Sequence, residues 1–554
     1  MEELLSFSRG FLGDDQRVKK CVEVTAVKLN ITVDDVSTII MNKIKDETNK
    51  CIHHSKNKEL FDYQKSVVST FYSQRGIIAA FATGTGKTLT ATSAAACVHN
   101  LSKLFGKPCN ILVVTPASLV DNMKEEFNKF NYHFGKDLNI ISSNIFRDML
   151  LYRKNLKQNI PVKGNKFMEL NEKREYDFRC DKNTFLIVDE AHELKTDYLY
   201  VFAEEDPRAK KAEDVESRAK MFVEECYPHI WKILLLTATP MLNRWYDIMN
   251  LIASVKGVDP KIQRDKIYIR NAHVDMGKTA FGDVVGVDKI PIEEVIIRDE
   301  DYFKGVIAFK DVDKSNTNFP VRNPEIYVPV YMTASYYNTV KQLLLEMKTK
   351  RPSRKKMTEE AINKELEALQ KKLAFLPNNP KIKVVEEILS NGKYDKLIIY
   401  SRFLNPLNGL KENIEKGINK GILPAYKLFI ITGADIPPSK RQAYLKTINS
   451  EKKAIVFVSD AGGMGLDFKE LEAVIIYEPG INISREEQAI GRAVRFASHI
   501  KLPKEKQRVD IYRLIMRYPQ GVEVKEHTPD QRVAIRAKSK DLSSLLFRSN
   551  LEKL

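Results

Sequence analysis

Hydrophobic positions along the chain fall into two kinds of run, and the kind changes at recognisable places. Up to about residue 57 they recur every three or four residues. Val33, Val36, Ile39, Ile40 and Ile44 within "NITVDDVSTIIMNKI" are an example, and the period predicts helices with one apolar face. Thr32 followed by Asp35 has capping-box spacing, so a helix is expected to start there. From 58 to about 256, short β-branched runs take over: "GIIAAFAT" (76–83), "CNILVVTP" (109–116), "NTFLIVDE" (183–190) and "WKILLLTATP" (231–240). Continuous apolar runs separated by helical stretches predict buried parallel strands in a doubly wound α/β domain. The rhythm returns in "YDKLIIYSRF", "YKLFIITGA", "KKAIVFVSDAGG" and "LEAVIIYEP", which predicts a second α/β domain over 378–518. The segment 257–377 is mixed. Its "PEIYVPVYMT" alternates, as antiparallel strands do, and "KKMTEEAINKELEALQKKLAFL" (355–376) predicts a charged helix. Residues 519–554 are expected to form a basic helical tail.

Bulk properties narrow the class. A chain of 554 residues is too long for one ordinary core. With 43% hydrophobic and 29% charged residues it is expected to fold as a soluble protein. No apolar run approaches the roughly 20 residues of a membrane span, and "MEELLSFSRGFLGDD" lacks the basic start and apolar core of a secretory signal. Cys21, Cys51, Cys97, Cys109, Cys180 and Cys226 stand singly. That argues against structural zinc and against a disulfide framework, and fits a reducing intracellular compartment. The net charge of +16 points to a polyanionic partner, most simply nucleic acid.

The chemistry begins at Thr83-Gly84-Thr85-Gly86-Lys87-Thr88, between a predicted strand and a predicted helix. Glycines there let backbone N–H groups turn onto phosphate oxygens, and the helix N-terminus adds positive potential. Lys87 would neutralise the β- and γ-phosphates of ATP, and Thr88 would ligate Mg²⁺. Phe81 stands where the strict phosphate-loop pattern has glycine. A second signal is "FLIVDEAH" (185–192), an apolar strand ending in two acids. Asp189 can hold the Mg²⁺ and Glu190 can polarise the attacking water.

"ATGTGKT", "DEAH", "LLLTATP" and "QAIGRAVR", in that order, resemble superfamily 2 helicase-type ATPases over roughly residues 58–520. The resemblance implies two RecA-like lobes, 58–256 and 378–518, with ATP between them. A helical extension (1–57), an interlobe insertion and linker helix (257–377) and the tail (519–554) complete the expected organisation. It also implies that Gln64 reads adenine, that His192, Thr237 and Thr239 couple hydrolysis to lobe movement, and that Gln488, Arg492 and Arg495 serve the γ-phosphate from the second lobe. Read as a helix, "SREEQAIGRAVRFASH" puts those three on one face, where two guanidiniums can stabilise a transferring phosphoryl group. A salt-bridged surface helix is the alternative, given Glu486 and Glu487.

"VVTPASLVDNMKEEF", "TATPMLNRWYDIMNLI" and "DAGGMGLDF" resemble the Swi/Snf-like branch, with Ala238, Asp467 and Phe468 as departures. Gly465 and Asp467 join the nucleotide-binding set on that basis. "FKGVIAFKDVDKSNTNFP" and "GRAVRFASHIKLPKEKQRVDIYRL" resemble helicases of large cytoplasmic DNA viruses, among them the poxvirus-type early transcription factor ATPase and the nucleoside triphosphate phosphohydrolase. By the resemblance to superfamily 2 motors, Thr115, Pro116, Ser118, Ser401, Arg402 and Ser459 are the expected nucleic-acid contacts, to phosphate and not to base edges. The charged run "FAEEDPRAKKAEDVESRAK" (202–220) reads as a solvated insertion where a partner could dock. The expected protein is an intracellular DNA-dependent ATPase that translocates on duplex DNA in viral transcription beside an RNA polymerase or transcription-factor subunit, placed in the host cytoplasm or the virion if viral and in the cytoplasm or nucleus otherwise. A strand-separating helicase and a non-catalytic scaffold are the alternatives.

Overall fold

The computed structural model describes residues 1–554 except 53–58, 83, 131, 158–179, 195–221, 223–224, 242–244, 259, 312–317, 350–358, 433–437, 460–467, 523 and 525. The charged run at 202–220 lies outside the described residues. Five strands open the first sheet: β1 (Gly76–Phe81), β2 (Asn110–Thr115), β3 (Leu138–Ser142), β4 (Thr184–Val188) and β5 (Lys232–Thr237). They lie parallel in the order β3-β2-β4-β5-β1. Every residue of β1, β4 and β5 is buried, because helices cover both faces and no polar face is needed. The edge strand β3 begins with partly exposed residues, which is why its short "LNIIS" lacks the apolar signal of the others.

An antiparallel pair follows, β6 (Ile267–Asp275) and β7 (Lys289–Ile297). The chain then returns as β8 (Ile307–Lys310) to the first sheet beside β1, and leaves as β9 (Val321–Tyr331) for a second sheet. That sheet is completed by β10 (Lys396–Ser401), β11 (Lys427–Ile431), β12 (Ala454–Ser459), β13 (Ala473–Ile476) and β14 (Arg508–Arg517), all parallel in the order β11-β12-β10-β13-β14-β9. Both doubly wound lobes are therefore present. Within the expected interlobe stretch 257–377, β8 completes the first lobe's sheet and β9 the second's. The alternation in "PEIYVPVYMT" is explained differently. β9 is a half-exposed edge strand paired in parallel, and alternation marked its edge position, not antiparallel pairing.

The N-terminal segment is helical, as Glu2–Leu12, Asp15–Leu29 and Val33–Ile52. Its capping box is formed: Asp35 N donates to Thr32 Oγ1 at 3.1 Å and Thr32 N to Asp35 Oδ2 at 3.2 Å. Leu4, Phe11, Val22 and Val36 join one core with Ile77, Ala79 and Leu234 of the first lobe. At the end of the first helix, Trp231 Nε1 donates to the Phe11 carbonyl at 2.8 Å. Lys232 Nζ donates to Gly10 O at 2.8 Å and Gln74 O at 2.6 Å. A buried amine donating to two main-chain carbonyls fixes this docking. Burial first, then Lys107 and Arg75 nearby, lowers the Lys232 ammonium to about 7.

The cysteine reading needs correction: Cys180 and Cys226 form a disulfide just ahead of β4 and β5. Residues 46 apart in sequence give no spacing signal, yet adjacent parallel strands bring their starting ends together.

The C-terminal segment is a buried strap more than a tail. Its helix, Pro529–Glu552, starts in a capping box at Thr528, whose hydroxyl donates to Met516 O of β14 at 2.7 Å. Midway it serves the free edge of β7: Glu293 N donates to Ser543 Oγ at 2.9 Å and Asn550 Nδ2 to Val295 O at 3.1 Å. At its far end Phe547, fully buried, meets Trp245 and Phe303 edge-on at 6.0 and 6.4 Å within the first lobe's core. One helix thus touches both lobes. Phe547→Ala is expected to lose about 3–5 kcal/mol through the cavity it opens, read as an earlier denaturant transition of the first lobe. An unchanged transition would show that the strap does not contribute to that core. Among the described residues no helix is long and apolar enough to cross a membrane.

Candidate active site

The C-terminal end of β1 turns into the helix Lys87–Leu104 through the predicted phosphate loop. Gly84 and Gly86 have φ of 83° and 88°, a region closed to most side chains. Gly86 has a second reason: a Cβ there would lie 2.4 Å from Gln64 Nε2. The loop is braced from outside. Tyr63 OH donates to Thr85 O at 2.6 Å, and Gln64 Nε2 donates to Thr85 O and Gly86 O, both at 3.3 Å. Gln64 Oε1 accepts from Phe61 N at 2.9 Å. Gln64 is buried, so in this structure its amide shapes the loop and does not face outward as a base reader. Thr85 Oγ1 donates to Ala82 O at 2.7 Å, and Lys87 Nζ donates to Phe81 O at 3.0 Å. The residue that departs from the strict loop pattern thus offers its carbonyl to the phosphate-loop lysine.

β4 delivers Asp189 and Glu190 beside this loop. Asp189 N donates to Val114 O at 2.8 Å, and Thr115 Oγ1 donates to Asp189 Oδ2 at 3.2 Å. Burial, then the adjacent Glu190, pushes the Asp189 carboxyl up to about 6, while Lys87 pulls it down. Glu190 sits at φ 50°, a backbone strain that packing must hold. Its Oε2 lies 3.3 Å from His192 Nδ1. That nitrogen also lies 3.1 Å from Thr237 Oγ1 and 3.4 Å from Thr239 Oγ1, and Thr239 N donates to Thr237 Oγ1 at 3.0 Å. Glu190, His192 and the end of β5 thus form one connected relay.

The second lobe closes on this site. Its helix Ile483–Ala493 carries Gln488 and Arg492, both half-buried. Burial, then Arg495, lowers Arg492 to about 10, and Glu190 opposes that shift. Arg492 therefore lies within electrostatic reach of Glu190 in the first lobe. The one-face expectation is corrected for Arg495: the helix ends at Ala493, two residues short of it. It reaches the site all the same. A Cβ on Gly84 would lie 3.4 Å from Arg495 Cγ, 3.5 Å from Phe319 Cε1 and 3.6 Å from Phe496 N. Phe319 and Phe496 meet edge-on at 5.6 Å. Sequence reasoning missed Tyr63, Phe319 and Phe496. The "DYQ" adjacency signals the first, and nothing local signals the others.

The expected nucleic-acid contacts are not an exposed side-chain surface. Thr115, Pro116, Ser401 and Ser459 are buried. Thr115 faces Asp189, and Ser401 Oγ accepts from Phe403 N at 3.1 Å. Arg402 Nη2 is paired with Glu367 at 2.6 Å. Residues that close a strand still lie within the sheet layer, so their side chains meet neighbouring elements first. Ser118 stands in the turn after β2. Its side chain, Thr83, Gly465 and Asp467 lie outside the described residues.

The donors fit a hard cation. The Thr88 hydroxyl opens the phosphate-loop helix, and Asp189 is a half-buried carboxylate within electrostatic reach of Lys87. Two oxygen ligands beside a phosphate cradle suit Mg²⁺, which keeps water and phosphate as its other ligands.

Comparison with known proteins agrees with this constellation. A family model described as "Type III restriction enzyme, res subunit" matches residues 57–242, and the "Helicase conserved C-terminal domain" matches 380–497, together more than half the chain. A protein of Acanthamoeba polyphaga mimivirus named as an ATP-dependent RNA helicase is 24% identical over 488 residues, covering 83% of this chain and 89% of the relative. The chromatin remodeling factor mit1 of Schizosaccharomyces pombe is 22% identical over 476 residues, covering 78% of this chain but 30% of its own length. Among solved structures, the ATP-dependent Type ISP restriction-modification enzyme LlaBIII bound to DNA matches with a TM-score of 0.47 and 15% identity, over 88% of this chain and 30% of that one. Two parallel-sheet lobes, a braced phosphate loop, the Asp189–Glu190 pair, the two family models and the mimivirus and mit1 relatives make the chain a superfamily 2 helicase-type ATPase, using ATP and Mg²⁺ and resembling the helicases of large DNA viruses.

Proposed function

We propose that this nucleic-acid-dependent ATPase is a translocase on duplex DNA that serves viral transcription, at initiation, elongation or release. The carrying observation is that the second lobe's arginines stand against the first lobe's phosphate loop and Glu190. Lys87 and the loop amides would hold the triphosphate, Glu190 would orient water, and Arg492 and Arg495 would stabilise the charge of the transferring phosphoryl group. Loss of the γ-phosphate removes what the arginines grip, so hydrolysis would loosen the lobes and step them along nucleic acid. The Swi/Snf-like stretches and the remodelling-factor relative favour duplex DNA. The net charge of +16 supports sequence-independent phosphate binding. A transcription-factor or polymerase subunit would supply specificity, in the cytoplasmic setting of a large DNA virus. RNA is the second reading, favoured by the name of the mimivirus relative.

Steady-state ATP turnover, measured with no nucleic acid, single-stranded DNA, duplex DNA or RNA at fixed salt, separates these readings. The largest stimulation is expected with duplex DNA. Stimulation by RNA alone would move the substrate to RNA. Preference for single strands would call for a strand-displacement assay and favour an unwinding helicase.

A further inference from the structure

The helix that carries Arg492 is held by a charge network no motif of the active site includes. Glu486 and Glu487, in and near its first turn, lie away from Gln488 and Arg492, at about 100° per residue around the helix. Glu486 is 1% exposed and is paired with the buried Arg513 of β14 through Nη1. Arg513 Nε also donates to Glu325 Oε2 of β9 at 2.7 Å, and its Nη2 lies 3.5 Å from Glu487 Oε1. Arg322 of β9 donates to Glu487 through Nη1 at 2.6 Å and Nη2 at 2.9 Å, and to Glu325 at 2.8 Å. Tyr327 OH donates to Glu325 at 2.8 Å, and Gly480 N donates to Glu486 Oε1 at 2.5 Å. Two arginines and three glutamates therefore alternate between the last two strands of the sheet and one end of the helix.

This arrangement gives the helix one orientation. Bidentate guanidinium–carboxylate pairs fix direction as well as distance. A buried ion pair is a weak source of stability beside apolar packing, so geometry is the better account of why charge is kept here. The helix cannot roll or slide without breaking pairs to β9 and β14, and a roll would swing Arg492 away from Glu190.

We propose that Arg513 and Arg322 are positioning residues for ATP hydrolysis, holding the helix Ile483–Ala493 so that Arg492 faces the first lobe's site. The proposal rests on Arg492 acting on the transferring phosphoryl group. Arg513 and Arg322 contact the helix through its carboxylates Glu486 and Glu487. They act through the helix, and their removal should lower kcat more than it raises KM for ATP.

The test is a double-mutant cycle on the full chain, with stimulating nucleic acid saturating. Arg492→Ala is expected to reduce kcat about 10³-fold. Arg513→Met, close in volume and apolar, is expected to reduce kcat roughly 10- to 100-fold with KM within about threefold. Combining them should cost little beyond Arg492→Ala, because a misplaced helix no longer matters once its arginine is gone. If the two losses multiply, or if folded Arg513→Met keeps wild-type kcat while Arg492→Ala does not, the positioning role is overturned. Full activity of Arg492→Ala would instead overturn the role of Arg492 itself. Arg322→Gln is the second variant should Arg513→Met not fold. Its site is about one-third exposed, and a roughly 3- to 10-fold fall in kcat that also vanishes in the Arg492→Ala background is expected. An unchanged kcat there would count against the network.

Discussion

Glu190→Gln is expected to abolish most ATP turnover while leaving nucleotide bound. The side chain keeps its shape and can still lie against His192, 3.3 Å away in the wild type. What it loses is the charge that, on the proposed function, would orient and deprotonate water, an effect of about 10²- to 10⁴-fold in kcat. The Lys87 and phosphate-loop contacts are untouched, so affinity for a fluorescent ATP analogue should change by less than about threefold. The substitution also removes the carboxylate that Arg492 senses. Because the γ-phosphate stays uncleaved, its attraction for Arg492 and Arg495 is expected to outweigh that loss and keep the lobes associated in the nucleotide-bound state, which a distance label on each lobe would read. A Glu190→Gln protein with wild-type turnover would remove Glu190 from catalysis. A wild-type protein inactive under every condition would favour the non-catalytic scaffold.

A stability effect as large as that of Phe547→Ala is expected at Asp530, at the start of the strap. Its Oδ2 accepts from Lys381 Nζ at 2.6 Å and Met516 N at 3.1 Å, and its Oδ1 accepts from Gln370 Nε2 at 2.9 Å. Lys381, 2% exposed, also donates to Tyr477 O at 2.6 Å. Asp530 thus joins the linker helix Glu359–Ala374, the helix Pro380–Ser390, β14 and the strap at one buried point. Asp530→Ala would leave the Lys381 ammonium buried without its counter-charge and Met516 N without its acceptor, while Gln370 Nε2 keeps its bond to Pro479 O at 2.8 Å, a loss of about 3–5 kcal/mol. The cause can be checked against plain loss of packing. Replacing Lys381 with Met and Asp530 with Leu together removes both charges, and the double variant is expected within about 2 kcal/mol of wild type. If it is as unstable as Asp530→Ala, lost packing and not the stranded charge is responsible. Glu478 lies in the same buried region. Burial pushes its carboxyl up to about 7, with Lys381 opposing, so it can take up part of the Lys381 charge and soften the single-variant loss.

The sequence alone determined what is local. Continuous apolar runs marked most of the buried strands, because a strand covered on both faces must be apolar along its length. "GTGKT" and "DEAH" marked the phosphate cradle and the acids, because those chemistries need residues adjacent in the chain at the end of a strand. The capping box at Thr32 was legible for the same reason. Tertiary structure decided what depends on residues far apart. Only packing shows that β8 completes one sheet and β9 the other, since a short strand or an alternating edge strand fits several partners equally well. Thr115 and Ser401 carry hydroxyls at strand ends, but whether a hydroxyl faces solvent or a neighbouring carboxylate is set by the adjacent strand. Glu486 and Glu487 looked like surface charges. Their partners stand on β9 and β14, with Arg322 165 residues away in sequence from Glu487, and no spacing rule connects them. The strap was legible as a helix but not as a bridge, because Phe547 becomes a core residue only where Trp245 and Phe303 surround it.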